Sequence, residues 1–93
     1  MIITTIKIHG RAEKRKEIVQ TIKGLTEQLT KDGGCVKADL YQDLDDKDTF
    51  YFMEEWQTRK ALEMHKTSKY MAVLFGLETL LAESLEINYG VKL

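Results

Sequence analysis

The apolar positions change period along the chain, and each change marks an element. Ile2, Ile6 and Ile8 fall on one parity, which predicts a strand over residues 2–9 that Gly10 ends. From Arg11 to Lys31 the period becomes helical, with Ile18, Val19, Ile22, Leu25 and Leu29 in one stripe. DGG at 32–34 supplies glycine for a helix stop. CVKADLYQDL, from Cys35, is strand-like, with Val36, Ala38 and Leu40 on one side, and DDKD is a turn. TFYFMEEWQ, from Thr49, is rich in aromatics and has strand propensity. Thr58 can cap a helix over 59–66, which KTS breaks. A second helical piece follows over 69–82, with Tyr70, Val73, Leu74, Leu77 and Leu81 on one face. ESLEINYGVKL closes as a strand in which Leu85, Ile87, Tyr89 and Val91 alternate.

The order β-α-β-β-α-β is that of a ferredoxin-like α+β domain over residues 1–93: a four-stranded antiparallel sheet with helices on one face. The second and third strands carry apolar or aromatic residues on both parities, whereas an antiparallel sheet with one wet face alternates more cleanly. The second face is therefore expected to be covered by another copy of the chain, giving a homodimer. A chain this short buries roughly 60–65 % of its unfolded surface and gains stability from such a partner.

Composition narrows the partners. Fourteen basic and fifteen acidic residues leave a net charge of −1, so no overall field favours nucleic acid. No apolar run reaches the roughly 20 residues of a membrane span, and MIITTIKIHG alternates and carries Lys7, unlike a signal peptide. The single cysteine, Cys35, cannot form an internal disulfide and fits a reducing compartment. The expectation is a soluble, cytoplasmic, single-domain protein with neither nucleic acid nor membrane as partner.

Candidate chemistry gathers in EEWQTRKALEMHKTSKYM, from Glu54 to Met71. On a helical wheel His65 lies between Ala61 and Leu62, on the face toward the sheet, with Arg59 and Lys66 flanking it and Lys60 and Glu63 pointing away. Two readings stand: a core histidine bonded to a backbone carbonyl, or a neutral imidazole facing a pocket. An unperturbed pKa of about 6.5 suits the second to general-base work. Trp56 ends the third strand near the same end of the fold, as packing or as a pocket wall. Phe50, Phe52, Glu54 and Trp56 share one side of that strand, and Tyr51, Met53 and Glu55 the other. Parity leaves open which side meets the helices.

Other patterns are weaker. Asp43 to Glu54 imitates a calcium loop but has Lys47 at position five and Asp48 where glycine is needed, and strands flank it, so it reads as a polar hairpin. Arg11, Lys14, Arg15 and Lys16 oppose a helix dipole and read as a solvated face or an anion site. Cys35 has no evident base beside it, and His9 and His65 alone make no metal site. Met71 and Phe75 lie off the main stripe of the last helix, facing either a pocket or a dimer seam.

FYFMEEWQTRKALEMHKTSKYM resembles the signature of the antibiotic-biosynthesis monooxygenase (ABM) superfamily: a strand ending in Glu-x-Trp, then a short helix with leucine and histidine, then Ser or Thr. Glu54, Trp56, Leu62, His65 and Ser68 carry it, and GCVKADLYQD resembles the second strand. The resemblance implies a dimeric α+β barrel with a pocket between sheet and helices in each subunit. It also implies, in the oxygenase branch, chemistry on an electron-rich aromatic with molecular oxygen as co-substrate and no cofactor or metal. Mapped onto this chain, His65 becomes the catalytic candidate, and Trp56, Glu54, Tyr70, Phe75 and Ala38 substrate-binding candidates. The chain departs where many relatives have Pro-His after the Ser or Thr and this one has Lys69-Tyr70, and where Ala38 replaces a frequent tyrosine. It lacks the strand-one asparagine and the iron-ligating histidine (Phe75 stands near that place) of the heme-degrading branch. The leading expectation is a cofactor-independent monooxygenase of a quinol or related small aromatic. A non-catalytic small-ligand-binding dimer and an isomerase of a small phosphorylated signalling metabolite are the alternatives.

Overall fold

A computed structural model describes residues 1–31 and 34–93. Four strands, β1 (Ile2–His9), β2 (Lys37–Gln42), β3 (Thr49–Trp56) and β4 (Glu86–Val91), form one sheet in the order β2-β3-β1-β4. Every neighbouring pair is antiparallel. Helix α1 (Arg15–Lys31) joins β1 to β2, and α2 (Arg59–Lys66) and α3 (Lys69–Gly76) lie between β3 and β4. This is the ferredoxin-like arrangement that the element order predicts.

Period two sorts each strand. On β3, Phe50, Phe52, Glu54 and Trp56 are buried, whereas Tyr51, Met53 and Glu55 are only partly so and Thr49 is buried at the strand's start; the parity question resolves with Trp56 on the helix side. The register aligns Thr4 of β1 with Glu54 and with Tyr89, Ile6 with Phe52 and Ile87, and Ala38 of β2 with Glu54. Directly opposite residues share a face. Ile6, Ile8, Phe50 and Phe52 thus meet Ile18, Ile22, Leu25 and Leu29 of α1 and Leu62, Met71 and Leu74 of α2 and α3 in one core. Each such side chain contributes roughly 1.5–3 kcal/mol on burial. Gly10 lets the end of β1 approach α1: a Cβ there would collide with Cδ1 of Ile18.

Several boundaries move. The helix expected from Arg11 begins as a 3-10 turn at Ala12–Lys14, and α1 proper starts at Arg15. The helix stop expected at 32–34 lies partly outside the described residues; Gly34 itself has φ +76°, a conformation that favours glycine. β2 starts at Lys37, leaving Val36 half-exposed. The last helix ends at Gly76 and tightens into a 3-10 turn, Leu77–Leu80. Its buried stripe is Tyr70, Met71, Leu74 and Leu77; Val73, expected inside, is 43 % exposed, and Met71 takes its place. The break at Thr67–Ser68 lets α3 set its own rotation. Thr58 does cap α2, its side chain accepting from the Ala61 amide at 3.1 Å.

The outer face of the sheet carries Ile3, Thr5, Tyr51 and Met53, all partly buried, with Tyr41 at 48 % exposure. None of the helices is long and apolar enough to cross a membrane, among the described residues.

Candidate functional site

Two elements build the site. The inward parity of β3 presents Glu54 and Trp56, and the sheet-facing side of α2 presents His65 one turn after Leu62. Glu54 and Trp56 are fully buried and His65 is 2 % exposed. His65 Nε2 lies 3.2 Å from Glu54 Oε2. The distance is that of an ion pair, yet among the described residues neither atom has a properly angled hydrogen bond. The Trp56 and His65 rings are stacked at a tilt, 4.6 Å between centroids and 33° between planes. The two rings therefore meet, and the histidine's partner is a carboxylate rather than a backbone carbonyl.

Ser68 sits beside the imidazole: its hydroxyl donates to the His65 carbonyl at 2.8 Å and lies 3.5 Å from Nδ1, at the limit of a hydrogen bond. Nε2 faces the Glu54 carboxylate at 3.2 Å without the angle of a hydrogen bond, so an O–H group that entered between them would meet both.

The polar atoms here are unusual for a core. Thr4 Oγ1, both Glu54 carboxylate oxygens, Trp56 Nε1 and His65 Nε2 are buried without a hydrogen-bond partner among the described residues. Each such atom costs about 1–3 kcal/mol. Thr4 is the residue the sequence pattern passes over. It sits on the inward parity of β1 between Ile2 and Ile6, directly opposite Glu54, and is fully buried. A threonine interrupting an isoleucine parity was the available signal.

The other candidates divide. Ala38 is partly buried, the cross-strand neighbour of Glu54 on the same face. Tyr70 is buried but lines a different cavity, of about 260 Å³, between α1 and α3 with Thr21, Leu25 and Lys69. Phe75 is 50 % exposed and outside the core cluster, so within one chain it does not join Trp56 and His65. Buried Cys35 donates to the carbonyls of Lys37 and Glu55, and burial raises the thiol above its usual pKa, the opposite of an activated nucleophile. The basic stretch is partly committed inward: Arg15 holds Asp48 at 2.7 Å and Arg11 donates to the Thr79 carbonyl at 2.7 Å. The hairpin carboxylates are likewise internal, Asp43 accepting from the amides of Asp45 and Asp46 and from the Tyr51 hydroxyl.

The family model for the antibiotic biosynthesis monooxygenase (ABM) domain matches residues 1–75, which include all of β1 to α2 and most of α3. The chain belongs to this family. Among curated relatives it is similar to "Putative monooxygenase YcnE" of Bacillus subtilis (strain 168), 24 % identical over 88 residues that cover 94 % of this chain and 93 % of the relative. Among solved structures it resembles a conserved protein from Methanosarcina mazei Go1, 28 % identical, TM-score 0.88, covering 98 % of this chain and 91 % of the other. It also resembles a "putative antibiotic biosynthesis monooxygenase" from Nitrosomonas europaea. That likeness, TM-score 0.88 at 22 % identity over 100 % of this chain and 99 % of the other, speaks for the fold alone. In this ABM domain the polar cluster lies within the matched residues.

Proposed function

We propose that the protein is a monooxygenase that oxidises a phenolic aromatic of the quinol or naphthol type with molecular oxygen and no bound cofactor. The buried Glu54–His65 pair under the Trp56 ring carries this reading. The substrate hydroxyl delivers its proton to His65 Nε2, and Glu54 stabilises the imidazolium that forms. The phenolate is electron-rich enough to pass one electron to oxygen, giving a substrate radical and superoxide. These combine in a carbon–oxygen bond at a ring C–H position. Loss of water from that peroxide leaves a carbonyl, so a naphthol and one oxygen molecule give a naphthoquinone and one water. Trp56 shields the site, and a dry surround strengthens each electrostatic contact. The ABM match and the monooxygenase name of the Bacillus relative support the reaction class.

The reading includes a homodimer paired through the outer face of the sheet, where Ile3, Met53, Tyr41 and Tyr51 offer apolar surface. Light scattering at micromolar concentration is expected to give twice the chain mass, and a monomer would remove the pairing. The central test is oxygen uptake against reduced quinols and naphthols, with catalase present to control for autoxidation. Saturable uptake that falls at least about tenfold in His65→Ala is expected, near the low end of a general base's contribution. Uptake no faster than the uncatalysed background would move the assignment to a non-catalytic binding dimer or to an isomerase.

A further inference from the structure

A second cavity, of about 290 Å³, opens between α2, the start of β1 and β4. Its inner wall is Ile2 and Leu62, with the Tyr89 ring and Val91 along the side. Both inner residues adjoin the buried cluster: Ile2 lies directly opposite Trp56 across the strands, and Leu62 is one helical turn before His65. The cavity, an antechamber by position, therefore borders the neighbours of Trp56 and His65 in the strand register and along the helix.

Its charge is one-sided. The lining holds two cations, Arg59 and Lys66, and no carboxylate among the described residues. Both cations reach outward to one acid, Glu63, Lys66 at 3.2 Å and Arg59 at 4.0 Å. Two positive charges against one negative leave the mouth positive. The Lys66 ammonium also lies over the Tyr89 ring, 4.6 Å from its centroid, so it bridges α2 and β4 across the opening.

From this we infer that the antechamber selects aromatic substrates bearing an anionic group remote from the reacting hydroxyl, with Arg59 and Lys66 as the specificity-determining countercharges. The aromatic body displaces Leu62 and Ile2 to reach His65, while the anion stays at the mouth, where it competes with Glu63 for both cations. The Tyr89 ring offers a flat apolar wall beside it. This assignment of substrate class rests on the functional reading above.

Calorimetric titration in the absence of turnover tests it. The two probes are a hydroxynaphthoate with its hydroxyl and carboxylate at opposite ends of the ring system, and the naphthol that lacks the carboxylate. The wild-type protein is expected to bind the hydroxynaphthoate at least about tenfold more tightly, the scale of one or two charge-assisted hydrogen bonds. In the Arg59→Gln/Lys66→Gln double variant the ratio of the two affinities is expected to fall close to one. Should that variant fail to fold, raising the salt concentration on the wild type serves instead: the hydroxynaphthoate loses affinity and the naphthol does not. Equal affinity for the two probes, a preference untouched by the double variant or by salt, or no binding of either at millimolar concentration overturns the inference. Because binding is read without oxygen, a charge preference with no oxygen uptake would sink only the oxygenase reading. Uptake without a charge preference would sink only this one.

Discussion

The chain contains two histidines, and each sits about one hydrogen-bond length from a glutamate. His65 Nε2 is 3.2 Å from Glu54 and His9 Nδ1 is 3.1 Å from Glu83. By distance the pairs are interchangeable. By surroundings they are opposites. Both side chains of the first pair are wholly buried, whereas His9 and Glu83 are 34 % and 72 % exposed. His9 also has a second acid near it, Asp46 at 3.8 Å, and water to satisfy whatever the acids leave. The comparison separates contact from consequence. In water two ions near 4 Å attract by about 1 kcal/mol, and the attraction rises severalfold as the effective dielectric falls. At the same distance the buried contact therefore counts for far more than the exposed one at the end of β1.

The sharpest way to break this comparison is to remove one acid from each pair. Glu54→Ala strips a buried imidazole of its partner and opens a void, and is expected to destabilise the fold by about 3–5 kcal/mol in urea unfolding. That is a large share of the roughly 5–15 kcal/mol that holds a domain together. Glu83→Ala is expected to change stability by less than about 1 kcal/mol. Similar losses in the two variants would mean that burial does not distinguish the pairs.

A third carboxylate, Asp43, tests the intermediate case through pH. Its bond from the Tyr51 hydroxyl, with two backbone amides assisting, holds the carboxyl below its usual pKa, and the same bond holds Tyr51 above its own. A depressed acid contributes stability above its unfolded pKa and loses it as pH falls through the lower folded value. A raised phenol contributes below about pH 10 and loses it as pH climbs through its higher folded value. Tyr51→Phe is expected to lower the centre of the stability profile and to leave its acid and alkaline extremes nearly unchanged, so that both edges flatten. An unaltered acid edge would show that the two amides alone set Asp43.

Much of this was legible beforehand because it depends on period. The alternation of β3, the helical stripe of α1 and the sheet-facing position of His65 all follow from side-chain direction in regular elements. What the pattern left open was whatever depends on rotation between elements. Parity could not say that Trp56 faces the helices, since either side of β3 carries aromatics. The break at Thr67 and Ser68 was expected, but period alone does not give the rotation at which α3 restarts, so its expected stripe placed Val73 inside where Met71 is buried instead. Phe75 entered the candidate site by resemblance and lies half-exposed, whereas Thr4 escaped notice and lies at the centre. Hydrophobic periodicity registers a polar residue on an apolar parity only as an interruption, and here the interruption was the information.

The smallest expected effect is also the cleanest measure of the contrast. A double-mutant cycle on His9→Ala and Glu83→Ala isolates their coupling from all the other contacts of each residue. Three features keep it small: Glu83 is largely in solvent, Asp46 competes for the same imidazole, and salt screens exposed charges within about a Debye length. The coupling is therefore expected below about 1 kcal/mol and near zero in about 1 M salt, where that length falls to roughly 3 Å. The same cycle on His65→Ala and Glu54→Ala is expected to keep its coupling at that salt concentration, since no ions reach a fully buried pair. A coupling at His9 that survives salt would show that this end of β1, tied to the C-terminal segment by the Ala82 amide to His9 carbonyl bond of 2.8 Å, excludes solvent more than its surface area indicates. A coupling at His65 that vanishes in salt would show the reverse for the site, opening to solvent on the timescale of the measurement by way of the antechamber beside α2.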